Sequence, residues 1–161
     1  MYNFTKKEVI ELLVAWAALS IAFGFAFSGG AFALSSVNKM IFFISSLPKY
    51  FVIVGAAFLL HELSHKFTAI KYGYPAQFHL WQMGLLLALV MSFALGVVFA
   101  APGAVYIYGL TDEKKDAKIS LSGPLANMIV AVSTLGLYRF TFIPLLAQVA
   151  YVSAFIGYST F

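Results

Sequence analysis

Four stretches of this chain hold no Asp, Glu, Lys or Arg: residues 12–38, 72–111, 119–138 and 140–161. A helix needs about 20 mostly apolar residues to cross a bilayer, so each stretch is long enough for a crossing. Only 10% of the 161 residues are charged, where soluble domains carry about 25%, and 62% are hydrophobic. That balance excludes a disordered chain and a nucleic-acid-binding surface. It also leaves too little polar surface to coat a soluble core. No cysteine is present, so disulfides and thiolate chemistry are excluded. The pattern predicts an all-α polytopic membrane protein with four to five transmembrane helices in one domain. Its partner is the lipid bilayer, not nucleic acid.

The first span is expected over 8–28. Thr5 supplies an N-cap, with Glu8 three residues on as a capping box, and Ser28-Gly29-Gly30 ends the helix. Lys6 and Lys7 ahead of an apolar run also suit a cleaved signal peptide, but Glu8, Glu11 and the length of the run count against it. Trp16 reads as a lipid-facing or interfacial aromatic. Residues 31–49 are mixed and read as a loop or short interfacial helix. A second span is expected over 50–72, stopped by Gly73 and Pro75.

Residues 84–101 are long enough to cross once, but Pro102-Gly103 breaks the run and 104–108 reads as a short strand. A charged loop is expected over 111–118, then spans over 119–138 and 142–160. If 84–101 crosses, basic residues divide five against five between the two sides. If the segment is re-entrant, Lys6, Lys7, Lys66, Lys71, Lys114, Lys115 and Lys118 share one side, against Lys39, Lys49 and Arg139. The positive-inside rule favours the re-entrant form and places the N-terminus in the cytoplasm.

The chemistry lies in the second span, at His61-Glu62-Leu-Ser-His65. Histidines at i and i+4 sit on one helix face, so both imidazoles reach one metal ion. Zinc suits two neutral imidazoles, one further ligand and an open position for water. Glu62 is placed to accept a proton from that water during attack on a carbonyl. The implied reaction is peptide hydrolysis. A helix-end pattern facing headgroups fails on position: His61 is about 16 Å from the expected helix end at Tyr72, inside a ~30 Å core. An unpaired ionised side chain there costs on the order of 3 kcal/mol.

Ser122-Gly123-Pro124-Leu-Ala-Asn127 reads as a helix start, with Ser122 capping and Pro124 in the first turn. Asn127 still needs hydrogen-bond partners within the span. His61-Glu62-x-x-His65 in one span, followed by Gly123-Pro124-x-x-Asn127 in a later one, resembles the site-2 protease family of intramembrane zinc metalloproteases. The resemblance covers roughly residues 50–161, and 102–105 resembles the membrane-associated strand region between the family's two motifs. It implies His61 and His65 as zinc ligands and Glu62 as catalytic acid/base. It also implies Asn127, Gly123 and Pro124 at the substrate, and a strand that engages an unwound substrate helix. The family's active site lies nearer the cytosolic face.

The family's third zinc ligand is an Asp in a Leu-Asp-Gly motif expected just past Phe161, so this chain is expected to be truncated before that helix. Asp112 and Asp116 read as solvated loop residues, and His79 is a distant candidate for a surrogate ligand. The leading expectation is an intramembrane protease acting on membrane-embedded helical substrates. A catalytically incomplete protease-like protein that binds metal or helices is the alternative. A transporter using His61 and Glu62 as an ion relay is a third class.

Overall fold

A computed structural model describes residues 4–99, 101–109 and 112–159, apart from the side chain of residue 159. Residues 111 and 160, at the edges of two expected segments, lie outside the described residues. The chain is almost wholly helical. α1 spans Lys6–Phe27 and is followed by a 3₁₀ turn, Gly30–Leu34. α2, Val37–Val54, passes through a π-helical turn, Gly55–Leu59, directly into α3, Leu60–Lys71. Then come β1 (Ala76–Leu80), α4 (Gln82–Leu95), β2 (Gly103–Ile107), α5 (Glu113–Thr141) and α6 (Pro144–Ser159). Helix α1, the continuous helix Val37–Lys71 and helix α5 are long and apolar enough to cross a membrane; α4 and α6 are shorter apolar helices.

Leu12, Ala15, Leu19 and Phe23 recur at helical spacing and form the buried stripe of α1. They pack with Tyr50, Ile53, Val54, Ala57 and Phe58 from the second helix and Val149, Val152 and Ile156 from α6. Thr5 caps α1 as expected, accepting from Glu8 N–H at 3.1 Å. The Glu8 carboxylate does not close the capping box; it turns into the core instead.

Several boundaries differ from the sequence reading. Residues 37–49 are helix continuous with the second span, not a loop or separate short helix. Ser36 caps this helix through Lys39 N–H, and Ser45 and Ser46 hydroxyls bond back to the Phe42 carbonyl ahead of Pro48. Residues 113–118 are the first turns of α5, not loop, because Asp112 caps Lys114 and Lys115 N–H groups at 3.0 and 3.2 Å. Ser122 and Pro124 are therefore interior to α5 rather than at its start, and the Ser122 hydroxyl bonds back to the Ile119 carbonyl at 2.6 Å. Trp16 faces the bundle rather than lipid. Its indole N–H donates to the Phe51 carbonyl at 2.9 Å, beside the π turn that disturbs the regular ladder there.

Helix α4 has 14 residues, about 21 Å of rise, and ends at Gly96 in the left-handed conformation. Its tip packs on Gly30, beyond the end of α1. The chain then comes back to the start of α4, where Trp81 N–H donates to the Pro102 carbonyl at 2.8 Å. The excursion thus closes where it began. β1, which the sequence reading did not anticipate, pairs antiparallel with β2 in the register Phe78↔Val105.

Candidate metal centre

His61 and Glu62 lie in the first turn of α3 and are buried, at 1% and 7% exposure. The i, i+4 spacing brings His61 Nε2 and His65 Nε2 to 3.1 Å. Two nitrogens bound tetrahedrally at 2.0–2.1 Å from one zinc ion lie about 3.3 Å apart, so the pair is spaced for a shared cation. The outer nitrogens are also held. His65 Nδ1 lies 2.8 Å from the Ile119 carbonyl, which can only accept, so Nδ1 carries the proton and Nε2 offers its lone pair. His61 Nδ1 lies 3.2 Å from the Asn127 amide. Asn127 is fully buried and its Oδ1 has no hydrogen-bond partner. Turned about its last bond, the amide would accept from His61 Nδ1–H and free His61 Nε2 for a metal.

Helix α5 reaches the site through Gly123. A Cβ there would collide with His65 Nε2 and crowd His61, so only glycine admits both rings. Pro124 is buried alongside. The two halves of the later motif therefore meet the His pair directly: Gly123 makes room for it and Asn127 bonds to it.

A cavity of ≈ 240 Å³ opens onto His61, Glu62 and His65, with β2 (Gly103, Ala104, Val105, Ile107) and Ile119 and Ser120 as its other walls. Glu62 Oε2 is buried at this cavity with no hydrogen-bond partner among the described residues. An orphaned carboxylate oxygen beside two converging imidazoles fits a metal and its water. The donor set so far is two nitrogens, since among the described residues no group of three His, Asp or Glu is placed to hold a metal.

The other candidates lie elsewhere. His79 is on β1, with Nε2 3.1 Å from the Tyr108 hydroxyl and Nδ1 3.6 Å from Glu11, and does not line the cavity. Asp112 is the partly solvent-exposed N-cap just ahead of α5, as its solvated reading expected. Asp116 meets the Ser120 hydroxyl at 3.5 Å. Sequence reasoning missed Glu8, Glu11 and Lys66 as parts of the site's frame. The available signal was charge within apolar helices, which was read only for capping, orientation and against a signal peptide.

Among curated proteins, the chain is similar to one from Methanocaldococcus jannaschii, provisionally named a zinc metalloprotease. They are 38% identical over 133 residues, covering 81% of this chain and 62% of the relative. The similarity is thus to a protein whose zinc metalloprotease name is provisional. A Mycolicibacterium smegmatis protein, also provisionally named a zinc metalloprotease, is 33% identical over 126 residues, covering 67% of this chain and 48% of that relative. The chain thus spans about half to three-fifths of these relatives' lengths. No protein-family model matches it, and no solved structure matches it.

Proposed function

We propose that this chain is the core of an intramembrane zinc metalloendopeptidase that cleaves transmembrane helices of membrane-protein substrates, as in regulated intramembrane proteolysis. The observation that carries the proposal is the convergence of His61 Nε2 and His65 Nε2 at 3.1 Å beside the orphaned Glu62 Oε2. His61 and His65 would hold zinc, with a third ligand from chain outside the described residues. When bound, zinc polarises the peptide carbonyl and acidifies water. Glu62 Oε2 takes the proton from the attacking water and returns it to the leaving amine. Asn127 and the Ile119 carbonyl orient the imidazoles. The resemblance also gives Asn127, Gly123 and Pro124 substrate contact, and the proposal keeps that role.

A helical peptide bond is shielded by its own hydrogen bonds, so the substrate must unwind before attack. β2 offers a place for it. The register turns the backbone groups of Val105 and Ile107 away from β1, and both residues line the cavity. An extended segment pairing there would lie beside Glu62. The protein is a multi-pass membrane protein in this proposal, in the cell membrane with its N-terminus in the cytoplasm. The absence of a third ligand among the described residues favours a second reading, a protease-like protein that binds metal or helices without cleavage.

Zinc content and cleavage of a model spanning peptide by the full-length protein and its Glu62→Ala variant separate the two. Loss of about 10²–10⁴ in rate with zinc retained supports the protease. Equal cleavage by both proteins removes Glu62 from the chemistry, and absence of zinc from never-chelated material removes the metal.

A further inference from the structure

The outer edge of β1 is filled without a strand. Successive strand residues present their N–H and C=O groups to alternate sides. Trp81 N–H donates to Pro102 at 2.8 Å and Tyr108 N–H to Pro75 at 2.9 Å, so odd-numbered residues of β1 face β2. Ala76, Phe78 and Leu80 then turn their backbone groups outward, where an edge strand is open to another chain.

Charged side chains meet all three. Phe78 N–H donates to Glu8 Oε1 at 3.0 Å and Leu80 N–H to Glu11 Oε2 at 3.1 Å. Lys66 Nζ donates to the Ala76 carbonyl at 3.1 Å. Glu8 and Glu11, three residues apart, share one face of α1. Lys66 closes the set, 2.6 and 2.7 Å from the two Glu8 oxygens, with both side chains almost fully buried. It follows His65 in the chain, so the helix bearing the imidazoles is tied to α1 and to the hairpin at one point.

We propose that Glu8 and Glu11 are positioning residues for the site. They stand in for a third strand on β1, fix the hairpin against α3 through Lys66, and direct an extended segment to the free edge of β2. Hydrogen bonds to a carboxylate are roughly twice as strong as those to a neutral carbonyl, so an incoming peptide cannot readily displace them. The inference deepens the function proposed above and rests on it for the extended substrate.

Replacing Glu8 strands Lys66 in the core, so Glu11 carries the test. In the bilayer-reconstituted chain, Glu11→Leu should speed amide hydrogen exchange at Leu80 by about tenfold, while Glu11→Gln, which keeps a weaker neutral acceptor, should speed it by less. Amides of α6 serve as the control for general loosening. A short synthetic apolar peptide carrying a benzophenone group should label residues 103–107 of the unsubstituted chain, with labelling spreading to 76–80 in Glu11→Leu. Unchanged exchange at Leu80, or label confined to β2 in both proteins, overturns the inference. Label on neither strand of the unsubstituted chain would instead overturn docking on β2, and the exchange rates would still decide whether the carboxylates hold β1.

Discussion

Removing the Glu8 carboxylate leaves the Lys66 ammonium buried without its counter-ion. Breaking a buried pair by deleting one partner costs about 3–5 kcal/mol, far more than an exposed pair is worth. Glu8→Ala should therefore lower unfolding stability by that amount in detergent, and Glu8→Leu with Lys66→Met should recover most of it. A loss under about 1 kcal/mol would mean that water reaches the pair. Gly123→Ala tests the other close approach. Its Cβ would push His65 out of line, and zinc affinity measured by chelator competition should fall by about 10–100-fold, the effect of disturbing a ligand's support. Wild-type affinity in that variant would show that the ring can shift freely. The His61, Glu62 and His65 cluster was legible in the sequence because i and i+4 share a face on any helix. Neither the bond from Asn127 to His61, 66 residues apart, nor the pairing of Glu8 with Lys66, 58 apart, could be read there.

At the scale of elements, helix existence was legible and helix ends were not. Residues 37–49 and 113–118 contain enough Ser, Asn, Lys and Asp to look like loop. Ser36 and Asp112 convert them to helix by capping, which hydropathy alone does not register. β1 was missed because five residues carry little periodic signal, and its partner lies beyond α4. The returning path of α4 makes a direct prediction. The chain has no cysteine, so single cysteines report accessibility cleanly. Trp81→Cys and Tyr108→Cys should react with a membrane-impermeant maleimide from the same side as Lys71→Cys. Reaction of Trp81→Cys and Tyr108→Cys from opposite sides would require the segment to cross and would break the β1–β2 hairpin.

For the whole molecule, the fold gathers the start of α1, the end of α3, the hairpin and the start of α5 at one end of the bundle. Glu8 meets Lys66, and Lys115 and Lys118 lie over the rings of Tyr74 and Tyr72. Seven of the ten basic residues belong to these segments, the division that the re-entrant form requires. With the cytoplasmic face at this end, Lys115→Cys should label only after permeabilisation and Lys39→Cys in intact cells. The reverse pattern would invert the proposed orientation.

The chain alone determined its helical, bilayer-suited character and the pair of imidazoles with their carboxylate. Both follow from local rules: apolar run length against membrane thickness, and the 3.6-residue period that stacks positions 61 and 65. The tertiary structure decided which groups hold those imidazoles, which wall faces them, and where α1 grips the hairpin. These are contacts between residues tens of positions apart, selected by packing and by the need to satisfy buried polar groups, and no local pattern encodes such pairings.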